Sequence, residues 1–305
     1  MAATMEINST LIETPPRPAA TLMMLRDGAA GLEVFLLKRH GLSDVLGGAY
    51  VFPGGKLDLQ DCDIDGDAHL DQPSSHLHSS LNEPGIDQAT AVGLYVAALR
   101  ETFEESGVLL AGADMADGAH GAHASAQQAA LAMELSRQGM GFDEVLAHLG
   151  LRLATRSVLP WSRWITPHMP SFMTKRFDTR FFVAVLPDGQ DARHDNRETV
   201  KSVWLGPREA LRQYWEREIE LAPPQIMSLA HLARMKDVAG ALAEARSRPP
   251  PVVQPEPFNE ETGRVICYPG DERHSVAERA IPGPSRLRHI NGRFEPVHGF
   301  ETLFE

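Results

Sequence analysis

Residues 100–108, Arg-Glu-Thr-Phe-Glu-Glu-Ser-Gly-Val, constrain the fold of this chain more than any other stretch. They complete a segment, residues 89–106, that contains no proline and whose apolar residues recur at spacings of three and four. These apolar residues are Val92, Val96, Leu99 and Phe103. This periodicity predicts an α-helix with one buried face, and Gly107 supplies the signal that ends it.

Three glutamates of this helix, Glu101, Glu104 and Glu105, stand at positions i, i+3 and i+4 and so share one face. Like charges held this close repel each other, which raises carboxylate pKa values unless a partner is present. A hard divalent cation such as Mg²⁺ is one such partner, and the adjacent Arg100 is another. The alternative is an ordinary solvated acidic face.

A glycine loop upstream favours the first of these interpretations. Residues 49–52 are apolar and typical of a strand, and Pro53 should end it because proline cannot donate to a ladder. Gly54 and Gly55 then allow the backbone to turn tightly beside a ligand or metal ion. The sequence therefore combines a strand, a glycine turn and a carboxylate helix.

This combination resembles the Nudix hydrolase signature, a glycine and a glutamate followed by Arg-Glu-apolar-x-Glu-Glu-x-Gly-apolar. Gly55 matches the first glycine, and residues 100–108 match the second half. The chain departs from the signature at Asp61, where the family has glutamate, and at Thr102, where it has an apolar residue. The spacer, normally seven residues, is thirty-eight residues long here, from 62 to 99.

A signature split in this way is similar to the Nudix branch that contains the peroxisomal coenzyme A diphosphatases and their bacterial relatives. The later segments 161–167 and 176–182 also resemble that branch, and the likeness covers roughly residues 19–211. Two features fit less well. Arg39 and Gly48 match the coenzyme A motif only loosely, and Asp44 stands where a second arginine is expected.

The resemblance implies an α/β fold, the α/β/α Nudix sandwich, with an insertion inside the signature, a helical insertion and a C-terminal extension. The expected organisation is a flexible N-terminus, a catalytic domain with its two insertions, and the extension. The corresponding boundaries are 1–18, 19–247 (with a loop insertion at 62–87 and a helical insertion at 123–150) and 248–305.

The resemblance also implies a metal site for Mg²⁺ or Mn²⁺. Its ligands would be Glu101, Glu104 and Glu105, with a backbone carbonyl from Gly54. These residues and Arg100 are the expected catalytic residues. A further acid, Glu198, is a candidate metal ligand or general base, and Glu101 is the alternative base.

Expected substrate contacts are Arg39, Gly54, Gly55 and Lys56. The expected reaction is hydrolysis of a diphosphate, first of coenzyme A or an acyl-coenzyme A to 3′,5′-ADP and (acyl-)phosphopantetheine. The alternatives are an ADP-ribose or NADH pyrophosphatase and a non-catalytic Nudix module that senses a ligand. Three intact glutamates argue against the sensing module, which has no need of mutually repelling acids.

Composition limits the partners. The chain has 29 basic and 41 acidic residues, a net charge of −12, and shows no basic patch for nucleic acid. Residues 1–17 resemble neither a signal peptide nor a membrane anchor, and two cysteines cannot form a disulfide framework. We expect a cytoplasmic enzyme that binds a small-molecule diphosphate, contacts neither nucleic acid nor membrane, and possibly forms a homodimer.

Two further patterns carry weaker hypotheses. Residues 61–67 imitate the start of a calcium loop, but Gln72 stands where a bidentate glutamate is needed, so a solvated loop is expected. Trp161, Trp164 and Phe172 are candidates to stack on a base, and the alternative is that they belong to the core.

Overall fold

An eight-stranded mixed sheet lies at the centre of the molecule in a computed structural model that describes residues 11–41, 47–113, 123–169, 175–195, 198–261 and 263–305. In chain order the strands are β1 (Arg17–Gly28), β2 (Gly31–Arg39), β3 (Tyr50–Val51), β4 (Gly54–Lys56), β5 (Ala111–Ala113), β6 (Leu151–Leu153), β7 (Leu159–Ile165), β8 (Phe177–Val185), β9 (Thr199–Leu205), β10 (Val252–Val253), β11 (Glu256–Glu260), β12 (Gly263–Cys267), β13 (Arg286–Ile290) and β14 (Arg293–Pro296). The main path through the central sheet is β10-β7-β8-β1-β2-β3, with β4 paired to β1 and β9 paired to β2.

Helices cover both faces of this sheet. In chain order they are α1 (Leu59–Cys62), α2 (Gly66–His69), α3 (Ser74–Leu81), α4 (Gln88–Ser106), α5 (Ala126–Arg137), α6 (Phe142–Leu149), α7 (Pro207–Trp215), α8 (Pro223–Leu232) and α9 (Val238–Ser247). Alternate residues of β2 enter different cores, with Phe35 and Leu37 on the α4 face and Leu36 on the other. The predicted α/β/α sandwich is therefore confirmed.

Helix α4 forms the centre of the first core. Tyr95 packs on Phe182 of β8 with ring centroids 4.7 Å apart, and Phe103 stacks on Phe142 of α6 at 5.8 Å. The predicted stop is also present, because Gly107 adopts a left-handed φ of 73° and donates its N–H to the carbonyl of Phe103.

The second core joins α7, α8 and α9 to the C-terminal part of the chain. Strands β11–β14 form a separate antiparallel sheet, and Leu287 and Phe294 of this sheet are buried among the α7 and α8 residues. A tight hairpin turn joins β13 to β14, and its residues Asn291 and Gly292 both have positive φ, at 51° and 85°. The domain limit at residue 248 stays a proposal.

The segment 62–87 differs from the predicted loop. Part of it is helical, as α2 and α3, and Leu77 and Leu81 are buried against α4. Asp65 caps α2 by accepting hydrogen bonds from the backbone of residues 67 and 68, so the apparent calcium loop is a helix start. Leu70 is buried in the same core, so three leucines anchor a segment that is otherwise largely polar.

Within the described residues, the N-terminal segment is already bound to the rest of the fold before residue 18. The expected flexible N-terminus is therefore shorter than predicted. Strand β1 begins at Arg17, and Ile12 donates its N–H to the carbonyl of His168 at 2.7 Å. Residues 1–10 lie outside the described part of the chain. In the helical insertion, α5 and α6 form as expected, and Ser125 caps α5.

Four charged side chains tie the inserted segment to the sheet, and we call them the Glu83 cluster: Glu83, Arg163, Asp178 and Arg180. Glu83, in the connection between α3 and α4, is only 8% exposed. It accepts a hydrogen bond from Nε of Arg180 at 3.0 Å and lies 2.9 Å from Nη1 of Arg163. Asp178 receives Nε of Arg163 at 2.8 Å. Within the described residues, a buried arginine and a partly exposed one thus meet two carboxylates.

Candidate active site

The end of α4 presents three glutamates, which we call the carboxylate cluster: Glu101, Glu104 and Glu105. They differ in exposure, because they stand at different angles around the helix axis relative to the core. The Glu105 residue is 4% exposed, whereas the side chains of Glu101 and Glu104 are 18% and 50% exposed. The helix therefore provides one buried, one partly buried and one accessible carboxylate on neighbouring turns.

The glycine loop faces this cluster. Strand β4 pairs with β1, which fixes Gly54 opposite Thr21 and Gly55 opposite Ala20. From this position Gly54 donates its N–H to Oε2 of Glu105 at 3.0 Å. The structure thus brings together the two halves of the signature that the sequence separates.

Both glycines are required by close approach. A Cβ on Gly55 would stand 2.2 Å from Oε1 of Glu101, and a Cβ on Gly54 would stand 2.4 Å from the carbonyl oxygen of Ala20. Gly54 also has φ of 155°. Only glycine therefore allows the loop to lie against both β1 and the carboxylate cluster.

Asp61 pairs with Arg100. Nε and Nη2 of Arg100 donate to the two carboxylate oxygens of Asp61 at 2.8 and 2.9 Å, and Asp61 is 3% exposed. This bidentate geometry fixes the guanidinium plane. The remaining nitrogen, Nη1, lies 3.1 Å from Glu101 and 3.4 Å from Glu104. Asp61, although one methylene shorter than the glutamate of the family signature, thus still contacts Arg100.

Sequence reasoning did not assign a role to Asp58, which lies 3.4 Å from Nη2 of Arg100 and is largely exposed. The signal was available, because Asp58 closes the same Pro-Gly-Gly-Lys-Leu-Asp run that contains the glycines. Its charge contributes to raising the pKa of Glu104. Asp58 is therefore part of the rim of the site.

Burial dominates the protonation of the cluster. It raises the pKa of Glu101 to about 7, a rise that Arg100 opposes and Glu104 reinforces. It raises the pKa of Glu105 to about 8, although the hydrogen bond from Gly54 opposes the rise. The pKa of Glu104 is raised as well, again first by burial. Groups with perturbed pKa values in one cleft are typical of functional sites.

Glu198 and Arg39 lie at the opposite rim. Nη2 of Arg39 is 3.7 Å from a carboxylate oxygen of Glu198, whose side chain is 68% exposed. Glu198 also faces the cluster, since its negative charge contributes to raising the pKa values of Glu101 and Glu105, while Arg39 lowers that of Glu105. The structure thus brings Arg39 and Glu198 to the same site as the three glutamates.

The remaining residues that the sequence suggested lie in different places. Lys56 follows the glycines with an exposed side chain, and its carbonyl lies 3.4 Å from Nη2 of Arg100. Trp161 and Trp164 are buried in the second core, on the face away from α4, so the core interpretation of these two rings is the correct one. Asp44 and Phe172 lie outside the described residues.

The donor set suits a hard divalent cation. Carboxylate oxygens are what Mg²⁺ and Mn²⁺ prefer, and raised pKa values show that these charges lack sufficient compensation. Within the part of the chain that the structure describes, no three acidic, histidine or cysteine side chains yet converge tightly enough to enclose an ion. Arg100 and the N–H of Gly54 are the present partners of the cluster.

The site and fold together agree with three comparisons. A family model described as the NUDT19 Nudix domain matches residues 1–232. The human acyl-coenzyme A diphosphatase NUDT19 is 29% identical over 284 residues, covering 80% of this chain and 72% of that protein. The *Xenopus laevis* protein of the same name is 27% identical over 279 residues, covering 81% and 72%.

Among solved structures, a NUDIX hydrolase from Alicyclobacillus acidocaldarius superposes with a TM-score of 0.60 at 26% identity, covering 76% of this chain and 97% of that one. The chain therefore belongs to the Nudix hydrolases and is an enzyme of that class. Its family within the class is the one described as the NUDT19 Nudix domain. In the described residues, no helix is both long and apolar enough to cross a membrane.

Proposed function

We propose that this enzyme hydrolyses the diphosphate linkage of coenzyme A or an acyl-coenzyme A, with 3′,5′-ADP and (acyl-)phosphopantetheine as products. The observation that carries the proposal is the carboxylate cluster held against the Gly54–Gly55 loop. The substrate is supported by the relatives named acyl-coenzyme A diphosphatase.

In this proposal Glu101, Glu104 and Glu105 hold Mg²⁺ or Mn²⁺, with the carbonyl of Gly54 as a further ligand. A bound divalent ion would polarise phosphoryl oxygens and acidify water. Arg100, fixed by Asp61, keeps a positive charge beside the glutamates and sets their orientation. Gly55 has no side chain, so the loop backbone approaches the carboxylate of Glu101 closely.

Proton transfer falls to Glu101 or Glu198. A general base works best when its pKa lies near the working pH, and burial raises the pKa of Glu101 to about 7. Glu198 is more accessible, and its ion pair with Arg39 at 3.7 Å is loose enough to open when substrate arrives. Substitution of each residue, with a pH–rate profile, separates the two assignments.

Arg39 and Lys56 supply positive charge for the substrate phosphates on either side of the cluster. Among the described residues, the buried Nε of Arg39 has no hydrogen-bond partner, so this arginine has donor capacity left for a phosphate oxygen. Lys56 has an exposed side chain at the other rim. An acidic chain needs such contacts to hold an anionic substrate.

The competing substrate is ADP-ribose or NADH, because the same cluster would cleave any diphosphate that fits. A product assay with Mg²⁺ or Mn²⁺ tests both, using coenzyme A, acetyl-coenzyme A, ADP-ribose, NADH and a nucleoside triphosphate. Glu104→Gln serves as the variant that removes a proposed ligand, and Glu134→Gln, an exposed glutamate on α5, is the matched control.

We expect 3′,5′-ADP from coenzyme A with the wild type and with Glu134→Gln, but not with Glu104→Gln. Cleavage of ADP-ribose or NADH in preference to coenzyme A would overturn the substrate and retain the site. Full activity of Glu104→Gln would overturn the site itself.

We also propose a cytoplasmic location, supported by the free thiols of Cys62 and Cys267, which fit a reducing compartment. Assembly as a homodimer stays a prediction that light scattering would test.

A further inference from the structure

Two lysines face each other across strands β2 and β9. The register pairs Lys38 directly with Lys201, and directly opposed residues of antiparallel strands project from the same face. Tyr50 of β3 flanks Lys38 on its other side, with the ammonium 5.9 Å from the ring centroid. Like charges in this arrangement destabilise a sheet. Their presence therefore needs an explanation other than stability.

The chain does not neutralise this pair with its own acids where its structure is described. It has 41 acidic residues against 29 basic ones, yet neither Lys38 nor Lys201 forms an ion pair with a described carboxylate. Lys201 is exposed and Lys38 is half-buried, so both ammonium groups can be reached by a ligand. Two uncompensated cations on one face suit a compact dianion such as a phosphate monoester.

The lysine pair lies at the active-site end of β2. The next residue, Arg39, pairs with Thr199 rather than Val200, so a bulge interrupts the ladder at this point. Bulges next to active sites redirect side chains. Arg39 reaches Glu198 and the carboxylate cluster on the α4 face, while Lys38 leaves the strand on the other face. Lys38 and Arg39 therefore leave the same end of β2 on opposite faces of the sheet.

Resting on the function proposed above, we propose that Lys38 and Lys201 bind the 3′-phosphate of the coenzyme A nucleotide. Coenzyme A carries phosphate of two kinds on one ribose unit, a diphosphate at C5′ and a phosphomonoester at C3′. The carboxylate cluster and Arg39 take the diphosphate, and the lysine pair takes the monoester. This contact distinguishes coenzyme A from ADP-ribose and NADH, which lack the 3′-phosphate.

The test measures binding of 3′,5′-ADP and of AMP by calorimetry, since these two ligands differ only in the 3′-phosphate. We expect the wild type to bind 3′,5′-ADP more tightly than AMP. Lys201→Gln and Lys38→Gln should each weaken 3′,5′-ADP about tenfold, as loss of a charge-assisted hydrogen bond does, and weaken AMP less. Lys236→Gln is the matched control, exposed and about 20 Å away at the other end of β2.

Turnover separates this inference from the function on which it rests. If the wild type cleaves coenzyme A, the ratio of kcat/KM for coenzyme A to that for 3′-dephospho-coenzyme A should collapse in Lys201→Gln. An unchanged ratio, or equal weakening of 3′,5′-ADP and AMP, overturns the lysine site. A wild type that cleaves no coenzyme A overturns the proposed function, whereas the calorimetric comparison still decides the lysine site.

Thermal unfolding tests the alternative that Lys201 only stabilises the sheet. Removing one charge from a repelling pair should leave the Tm of Lys201→Gln unchanged or higher than that of the wild type. A lowered Tm that accompanies the weaker binding would mean that Lys201 stabilises the sheet, and it would overturn the assignment.

Discussion

The carboxylate cluster and the Glu83 cluster both place acidic side chains beside α4, but only one of them is balanced. In the Glu83 cluster, Arg163 and Arg180 meet Glu83 and Asp178 at hydrogen-bonding distances. In the carboxylate cluster, Arg100 is shared between Asp61 and two glutamates, and the buried Glu105 relies on a backbone N–H.

This difference distinguishes a cluster of fully paired charges, the Glu83 cluster, from one whose charges are only partly paired, the carboxylate cluster. Burying charges is expensive, and the Glu83 cluster offsets that cost with partners of its own. The carboxylate cluster leaves the cost partly unmet, which is why the pKa values of Glu101 and Glu105 are raised. The rest of the fold must therefore offset the free energy that the carboxylate cluster costs. The incompletely paired negative charge of this cluster favours the binding of a cation.

The largest effect should come from unbalancing the Glu83 cluster. Glu83→Ala leaves Arg180 buried with one carboxylate fewer, and breaking a buried pair costs about 3–5 kcal/mol of unfolding free energy. Urea denaturation measures the change. The control is Glu216→Ala, which removes a half-exposed partner of Arg212 and should cost less than about 1 kcal/mol. Equal effects of the two variants would contradict the comparison.

The carboxylate cluster should respond in the opposite way. Glu105→Gln removes a buried ionisable group but keeps an acceptor for Gly54, so the metal-free protein should be as stable as the wild type or more so. Its kcat/KM should nevertheless fall by about 100-fold or more, because a proposed metal ligand is lost. Steady-state assays and urea denaturation on the same variant test both halves. A loss of stability would mean that Glu105 is structural.

Gly55→Ala should give an intermediate effect. The added Cβ would stand 2.2 Å from Oε1 of Glu101, so that carboxylate must move away from the loop. We expect kcat/KM to fall about tenfold, since misplacing a catalytic group weakens catalysis without removing it. Gly85→Ala is the control, because an added Cβ there meets nothing within 4 Å. Equal activity of both variants would show that Glu101 tolerates displacement.

The smallest effect should be the pH dependence of stability. The folded-state pKa values of Glu101 and Glu105, about 7 and about 8, lie above the unfolded value near 4.5, so the folded state loses stability as pH rises from about 4.5 until each group has ionised near pH 7–8. The metal-free protein should therefore be less stable at pH 8.5 than at pH 6.5, by about 1 kcal/mol or more.

Mg²⁺ should reverse this loss, with more stabilisation at pH 8.5 than at pH 6.5. The window avoids His231, whose pKa burial lowers to about 4 and whose contribution is lost only as pH falls below about 6.5. Chemical denaturation at the two pH values, with and without Mg²⁺, gives the measurement. A flat profile for the wild type would contradict the raised pKa values.

How much of this was predictable depends on the range of the contacts. Helix α4, its stop at Gly107 and the shared face of the glutamates follow from local spacing, and the sequence predicted all of them. The contacts of Gly54 with Glu105 and of Asp61 with Arg100 span the insertion. The family resemblance placed the glycine loop beside the glutamates, but it did not predict that Asp61 pairs with Arg100.

The features that the sequence did not predict also depend on long-range contacts. The role of Glu83 depends on Arg180, ninety-seven residues further along the chain, and no local pattern reveals such a pair. The helix α3 was missed because its burial depends on Leu77 and Leu81 meeting α4, which periodicity in a short polar segment does not show. The opposition of Lys38 and Lys201 required the strand register.

The insertion has a consequence for how this protein can change. In polymer terms, lengthening the spacer from seven to thirty-eight residues adds only about 1.5 kcal/mol of loop-closure entropy. Both ends of the spacer are fixed, because Cys62 packs against Gly93 and Asp61 forms a bidentate ion pair with Arg100. A segment exchanged between these two points would keep the contact of Asp61 with Arg100 but would have to replace Glu83, which pairs with the buried Arg180.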